Sequence, residues 1–136
     1  MTSFSKKERL CSHILIQELL KNGNSMFVFP FRCIWAFTER CETPLQIAFS
    51  VPKKRFKHAH DRNLIKRRLR NAYRIQKTPL ITFLEQQNRS ILCLIVYNTS
   101  EIIDYAIIEE KINSILNRIE QQLFVPLVEV TKQENV

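Results

Sequence analysis

The chain of 136 residues carries 21 Lys and Arg against 13 Asp and Glu, a formal net charge of +8, with 45% hydrophobic and 25% charged residues. That is one globular domain with enough apolar side chain to bury a core, which excludes disordered, collagen-like and linker-like chains. A single glycine, Gly23, excludes the Gly-rich phosphate loops of kinases and dinucleotide enzymes, and the longest apolar run, Ile91 to Tyr97, falls far short of the roughly 20 residues of a membrane span.

No signal peptide or anchor is expected after Met1-Thr2-Ser3. Cys11, Cys33, Cys41 and Cys93 are too widely spread for a C-x-x-C zinc site and read as reduced, mostly buried thiols of a cytoplasmic protein.

Ser12 to Lys21 spaces Ile16, Leu19 and Leu20 at helical intervals, predicting a first helix capped by Ser12 and closed by Gly23. Met26 to Phe37 alternates with period two, predicting one strand bent at Pro30, with Phe31, Cys33, Trp35 and Phe37 on one face and Arg32, Ile34 and Ala36 on the other. Trp35 reads as core; Phe27 and Phe29 fit a core or a nucleotide platform equally well. After Cys41-Glu42-Thr43-Pro44 the alternation resumes over Leu45 to Val51, and the two strands are expected to pair as an antiparallel hairpin.

A basic connector from Lys53 to His60 leads into a helix reaching about Gln76, with Asp61 as the expected N-cap, and Thr78-Pro79 opens a short helix to about Gln86. Ile91 to Tyr97 is apolar throughout and reads as a strand buried on both faces. A last helix runs from about Ile102 to Leu123 on a stripe of Ile108, Ile112, Ile115 and Ile119. The chain is thus an α+β domain over residues 1–124, helices packed on a small sheet, with a frayed tail over 125–136.

The charge is concentrated in the middle. Residues 1–52 carry a net +2, residues 53–77 carry eleven cations against Asp61 alone, and residues 78–136 carry −4. At 100° per residue, Arg62, Asn63, Lys66, Arg67, Arg70, Arg74 and Lys77 share an arc of about 140°, with Leu64, Ile65, Leu69, Ala72 and Ile75 opposite. Arg68 alone sits among the apolar positions, its stem expected along the core and its guanidinium in water. A single-sign row repels itself unless a polyanion offsets it, which points to nucleic acid. Arg62 and Lys66 in the first turns oppose the helix dipole, and such conflict is expected where first-turn N–H groups beside Arg and Asn bind phosphate.

The stretch Phe49-Ser50-Val51-Pro52-Lys53-Lys54, followed by Ala59-His60-Asp61-Arg62-Asn63-Leu64-Ile65-Lys66-Arg67-Arg68-Leu69-Arg70, closely resembles the signature of the bacterial ribonuclease P protein component, and the resemblance runs from about Lys7 to Ile119. It implies a small sheet in α-β-β-β/α-β-α order with a left-handed β-α-β crossover, a ribosomal-protein-S5-like second-domain fold. It also implies a noncatalytic subunit that binds a large catalytic RNA and the 5′ leader of precursor tRNA while the RNA hydrolyses the phosphodiester with Mg²⁺. No metal site on the protein, no membrane and no obligate protein partner are implied. By the same resemblance Lys53, Lys54, Arg62, Asn63, Lys66, Arg67 and Arg70 face the catalytic RNA, and Arg74 of the same arc is expected to join them; Leu64 stands at the third position of the family's Arg-Asn-Arg core, which removes one cation. The leader groove is expected to involve Arg9, Ile16, Leu20, Phe31 and Ile34. Ile16 and Leu20 replace aromatics there, so stacking from the helix is weaker unless Phe31, Trp35 or Phe37 substitutes.

Three other readings are weaker. A DNA-binding module, or an rRNA-binding structural protein with no part in processing, would use the same basic helix, but helix-turn-helix proteins lack three strands. A protein nuclease would draw on His58, His60 and Asp61, yet alternate loop positions point apart and one carboxylate is too few for two metals.

Overall fold

A computed structural model describes residues 4–39 and 43–134, with side chains as far as Leu123. A one-turn 3-10 helix, Lys6–Glu8, precedes α1 (His13–Asn22), β1 (Asn24–Val28), β2 (Phe31–Thr38), β3 (Leu45–Ser50), α2 (Ala59–Gln76), α3 (Thr78–Gln87), β4 (Ser90–Tyr97) and α4 (Tyr105–Glu134). The architecture is the expected α+β one. Its sheet runs β1-β2-β4-β3, with α1 against one face and α2, α3 and α4 against the other.

Two strand expectations are corrected. Met26 to Phe37 is not one bent strand: Pro30, which has no N–H to give a ladder, sits with Phe29 in a two-residue turn, and β1 folds back on β2 with Val28 opposite Phe31. The strands on either side of residues 39–44 do not pair either, because β4 lies between them, antiparallel to β2 and parallel to β3. The reason is in β4 itself. Ile91, Cys93, Ile95 and Tyr97 enter the larger core with α2 and α4, while Leu92 and Leu94 enter the smaller one under α1. A strand apolar on both faces belongs in the sheet interior.

Helix ends follow local chemistry. The Ser12 hydroxyl accepts from Leu15 N at 3.3 Å and caps α1. Gly23 closes α1 in an extended conformation, φ −74° and ψ 161°, so its role is space: a Cβ there would lie 2.5 Å from the Leu19 carbonyl oxygen and 2.6 Å from Ile34 Cγ2. The left-handed cap that glycine usually supplies falls to Asn88, φ 53°, at the end of α3. α2 starts at Ala59 with His58 as its N-cap, which corrects the expectation for Asp61; Asp61 lies in the first turn, where its charge suits the dipole.

α4 begins at Tyr105, later than expected, because the preceding loop is tied to β4: the Tyr97 hydroxyl accepts from Ile103 N at 3.0 Å and donates to the Glu101 carbonyl at 2.5 Å. Ile108, Ile112, Ile115, Leu116, Ile119 and Leu123 form its buried stripe. Trp35 is core, with Nε1 donating to Gln122 Oε1 at 3.0 Å. The backbone of α4 continues to Glu134, past the expected end at about Leu123 and through most of the stretch expected to fray; the side chains after Leu123, and residues 135–136, lie outside the described ones.

Candidate nucleic-acid interface

α2 buries Ile65, Leu69, Ala72 and Tyr73 and turns its other side outward. Asn63, Arg67 and Arg70 are exposed there, Arg62, Lys66 and Arg74 are half-buried, and Lys53 and Lys54 are exposed on the connector. All eight residues expected to face RNA are therefore at the surface or its margin.

Four of the eleven cations between 53 and 77 instead hold the fold together. Arg55 Nη2 donates to Asn98 Oδ1 at 2.7 Å, fastening the connector to the loop after β4. Arg62 Nη1 donates to the carbonyls of Phe56, at 2.6 Å, and Lys57, at 3.1 Å, so this residue shapes the connector as well as bordering the array. Arg68 is half-buried, and its Nη1 donates to the Ile103 carbonyl at 2.7 Å, just before α4, so it ties α2 to that loop. Lys77 is withdrawn from the exposed array: its side chain is 6% exposed and pairs with Glu8. Its backbone still follows the helix, φ −73° and ψ −24°, so the wheel gives its direction; what buries it is the N-terminal turn carrying Glu8, packed against this end of α2.

Glu8 belongs to the N-terminal turn, where its carboxylate also accepts from Ser5 N at 2.8 Å and Ser5 Oγ at 3.1 Å. Burial alone would push its pKa up, but the hydrogen bonds from Lys77 and Ser5 and the Lys77 charge outweigh burial and hold the carboxyl below the ordinary glutamate value. Arg9 follows as an isolated parallel bridge to Ile47, and Leu10 N donates to the Ile47 carbonyl at 3.0 Å. Leu10 points into the cluster under α1. Arg9 points the other way, over the Phe4 ring at 5.4 Å, into a cavity shared with Arg67, Arg70 and Arg74. Arg9 is thus on the α2 side of the sheet and away from the groove under α1, contrary to its expected place among leader contacts.

The remaining expected leader residues divide by burial. Ile16 is half-buried and Leu20 is 50% exposed. Phe31 is sealed in the larger core at 0% exposure, edge-on to Tyr97 at 5.6 Å, and Ile34 is 1% exposed beneath α1, so neither has surface for a ligand. The open part of that sheet face is a row the sequence reading did not assign: Phe27 opposite Arg32, Arg32 opposite Val96, Val96 opposite Ser50. Phe27 is 51% exposed and lies edge-on to exposed Phe29 at 6.0 Å. Exposed Arg32 has Nε 3.4 Å from Ser25 Oγ. Period-two alternation had already put Arg32 on the Ile34 face; the strand break at Pro30 is what brings Phe27 beside it. His58 and His60 are exposed at the start of α2, and His60 Nδ1 lies 3.3 Å from Asp61 Oδ1.

A small mixed sheet with a cationic helix exposed on one side defines a class of basic α+β domains suited to a polyanion. Comparison with known proteins makes this specific. Residues 4–120 match the family model described as Ribonuclease P. Ribonuclease P protein components of two Porphyromonas gingivalis strains are 30% identical over 116 residues, covering 85% of this chain and 85% of theirs. That of Buchnera aphidicola is 39% identical over 61 residues, 43% of this chain and 50% of its own. Among solved structures, a Staphylococcus aureus RNase P protein mutant with defective mRNA degradation activity superposes with a TM-score of 0.71 at 18% identity, covering 85% of this chain and 90% of that one. The chain belongs to the ribonuclease P protein family and is the protein subunit of that ribonucleoprotein endoribonuclease of tRNA 5′ processing.

Proposed function

We propose that the outward side of α2 grips the catalytic RNA through its phosphates, while the groove between α1 and the sheet receives the 5′ leader of precursor tRNA. Hydrolysis belongs to the RNA and its Mg²⁺, in the cytoplasm, and the protein contributes binding alone. The observation that carries this reading is the single-sign row Arg62, Lys66, Arg67, Arg70 and Arg74, continued by Lys53 and Lys54, with Asp61 the only acid between 53 and 77. Structured RNA is recognised by shape and backbone, which suits guanidinium and ammonium groups with one Asn better than a base-reading helix. Open N–H groups at the start of α2, which has no side-chain cap, add to the attraction for phosphate. In the groove, Ile16 and Leu20 present apolar surface, and Phe27 and Arg32 supply the aromatic and the cation that Phe31 and Ile34 cannot.

If six of these cations each neutralise one phosphate, log affinity for the catalytic RNA falls against log salt with a slope of roughly −4 to −5. Titration at several salt concentrations, with duplex DNA as competitor, measures this. A slope near −1, or displacement by duplex DNA as effective as by RNA, refutes the reading.

A further inference from the structure

We propose that the cavity walled by Phe4, Arg9, Arg67, Arg70, Asn71 and Arg74 holds one unpaired nucleotide of the RNA, its phosphate on the arginines and its base against the stacked Phe4 ring and Arg9 guanidinium. The inference rests on the RNA-binding reading above and adds a subsite to it. The cavity, about 370 Å³, lies within the range of small-ligand pockets. Arg67, Arg70 and Arg74 project from one side of α2 at helical spacing. Asn71 steadies that wall: its Oδ1 accepts from Arg74, and its Nδ2 donates to the Tyr105 hydroxyl at 2.9 Å.

The opposite wall is equally fixed. Phe4 is edge-on to Tyr73 at 5.6 Å and to Phe49 at 6.4 Å. Arg9 is held by its bridge to Ile47 and leans over Phe4, with Nη2 3.4 Å from the Phe4 carbonyl. Glu8, the acid nearest in sequence, turns inward to Lys77 and is neutralised there. Arg9, Arg67, Arg70 and Arg74 therefore line one cavity, and among the described residues its wall holds no carboxylate; exposed Arg9, Arg67 and Arg70 make it a place that an anion suits. Phosphate alone gives no use for the ring; a nucleotide does, since bases stack on aromatic rings and guanidinium planes alike. A paired base is held within its helix and cannot enter, so the ligand is an unpaired one.

The test compares the full chain's affinity for a hairpin RNA with that for the same hairpin carrying one bulged adenosine. The native chain is expected to favour the bulged form about tenfold, the order of one base stacked on an aromatic group. In Phe4→Leu, which keeps apolar packing on Phe49 and Tyr73, and in Arg9→Lys, which keeps the charge and loses the plane, the ratio of the two affinities falls to about one. If Phe4→Leu lacks native near-UV circular dichroism, Arg9→Lys decides. Equal affinities in the native chain, or a preference that survives Arg9→Lys, overturn the subsite alone. Failure to bind either RNA overturns the RNA-binding reading and the subsite together.

Discussion

Glu8→Gln isolates the contact that docks the N-terminal segment against the end of α2. It removes the carboxylate that faces the Lys77 ammonium, whose side chain is 6% exposed, while Glu8 itself is 12% exposed. Removing one partner of a buried pair costs about 3–5 kcal/mol, because the other charge stays desolvated. Gln still offers an oxygen to Ser5, so the lower end, about 3 kcal/mol at neutral pH, is expected. Urea unfolding measures it as a lowered midpoint at unchanged slope. The pH dependence has a definite sign. The folded carboxyl titrates below the ordinary value of 4.5, so its contribution is complete above that value and disappears as pH falls through the folded one. Native and Glu8→Gln chains should therefore draw together in stability as the pH falls below 4.5 and through the lowered folded value. Replacing both residues by apolar ones, Glu8→Leu with Lys77→Met, should recover most of the loss. A Glu8→Gln chain within about 0.5 kcal/mol of native at neutral pH, or a gap that does not narrow in acid, refutes the argument.

Gly23→Ala forces a Cβ to within 2.5 Å of a backbone oxygen and 2.6 Å of Ile34 Cγ2, and should lower stability by about 2 kcal/mol in the same assay although no left-handed backbone is involved. Thiol chemistry should separate the described cysteines: Cys11 is exposed and should react with a thiol reagent in the folded chain. Cys33 and Cys93, both at 0% exposure with their sulfurs 3.5 Å apart, should be modified only on unfolding. Peptide mass spectrometry reads the difference, and labelling of Cys33 or Cys93 at the rate of Cys11 would contradict their burial. The hydrogen bond with Cys33 and the burial of Cys93 push the Cys93 thiol up, which further disfavours its thiolate.

Elements with strong local signals were legible in the sequence: the Ser12 cap and Gly23 stop of α1, the two-sided apolar run of β4, and the isoleucine stripe of α4. Strand order was not, because it depends on which neighbours can cover both faces of β4, a long-range condition that alternation along one strand does not encode. The cation row was legible as a helical arc, yet the wheel could not show that the N-terminal turn covers Lys77 or that Arg62 and Arg68 take backbone carbonyls. Phe31 and Ile34 have apolar side chains that read alike in a groove or a core; only packing against Tyr97 and α1 separates them. Phe4 carried no signal at all, since its partners Phe49, Tyr73 and Arg9 come together through the docking of the N-terminal segment.

The most direct measurement is cleavage of precursor tRNA at low Mg²⁺ by bacterial catalytic RNA reconstituted with the native chain or with Lys66→Gln/Arg67→Gln/Arg70→Gln, a set that leaves the connector-shaping Arg62 in place. The native chain should restore processing that the RNA alone does not sustain, and the triple variant, folded and at the same concentration, should fail to do so until Mg²⁺ is raised. Equal restoration by the two chains, or cleavage by the native chain with no RNA subunit present, would contradict the claim that α2 holds a catalytic RNA.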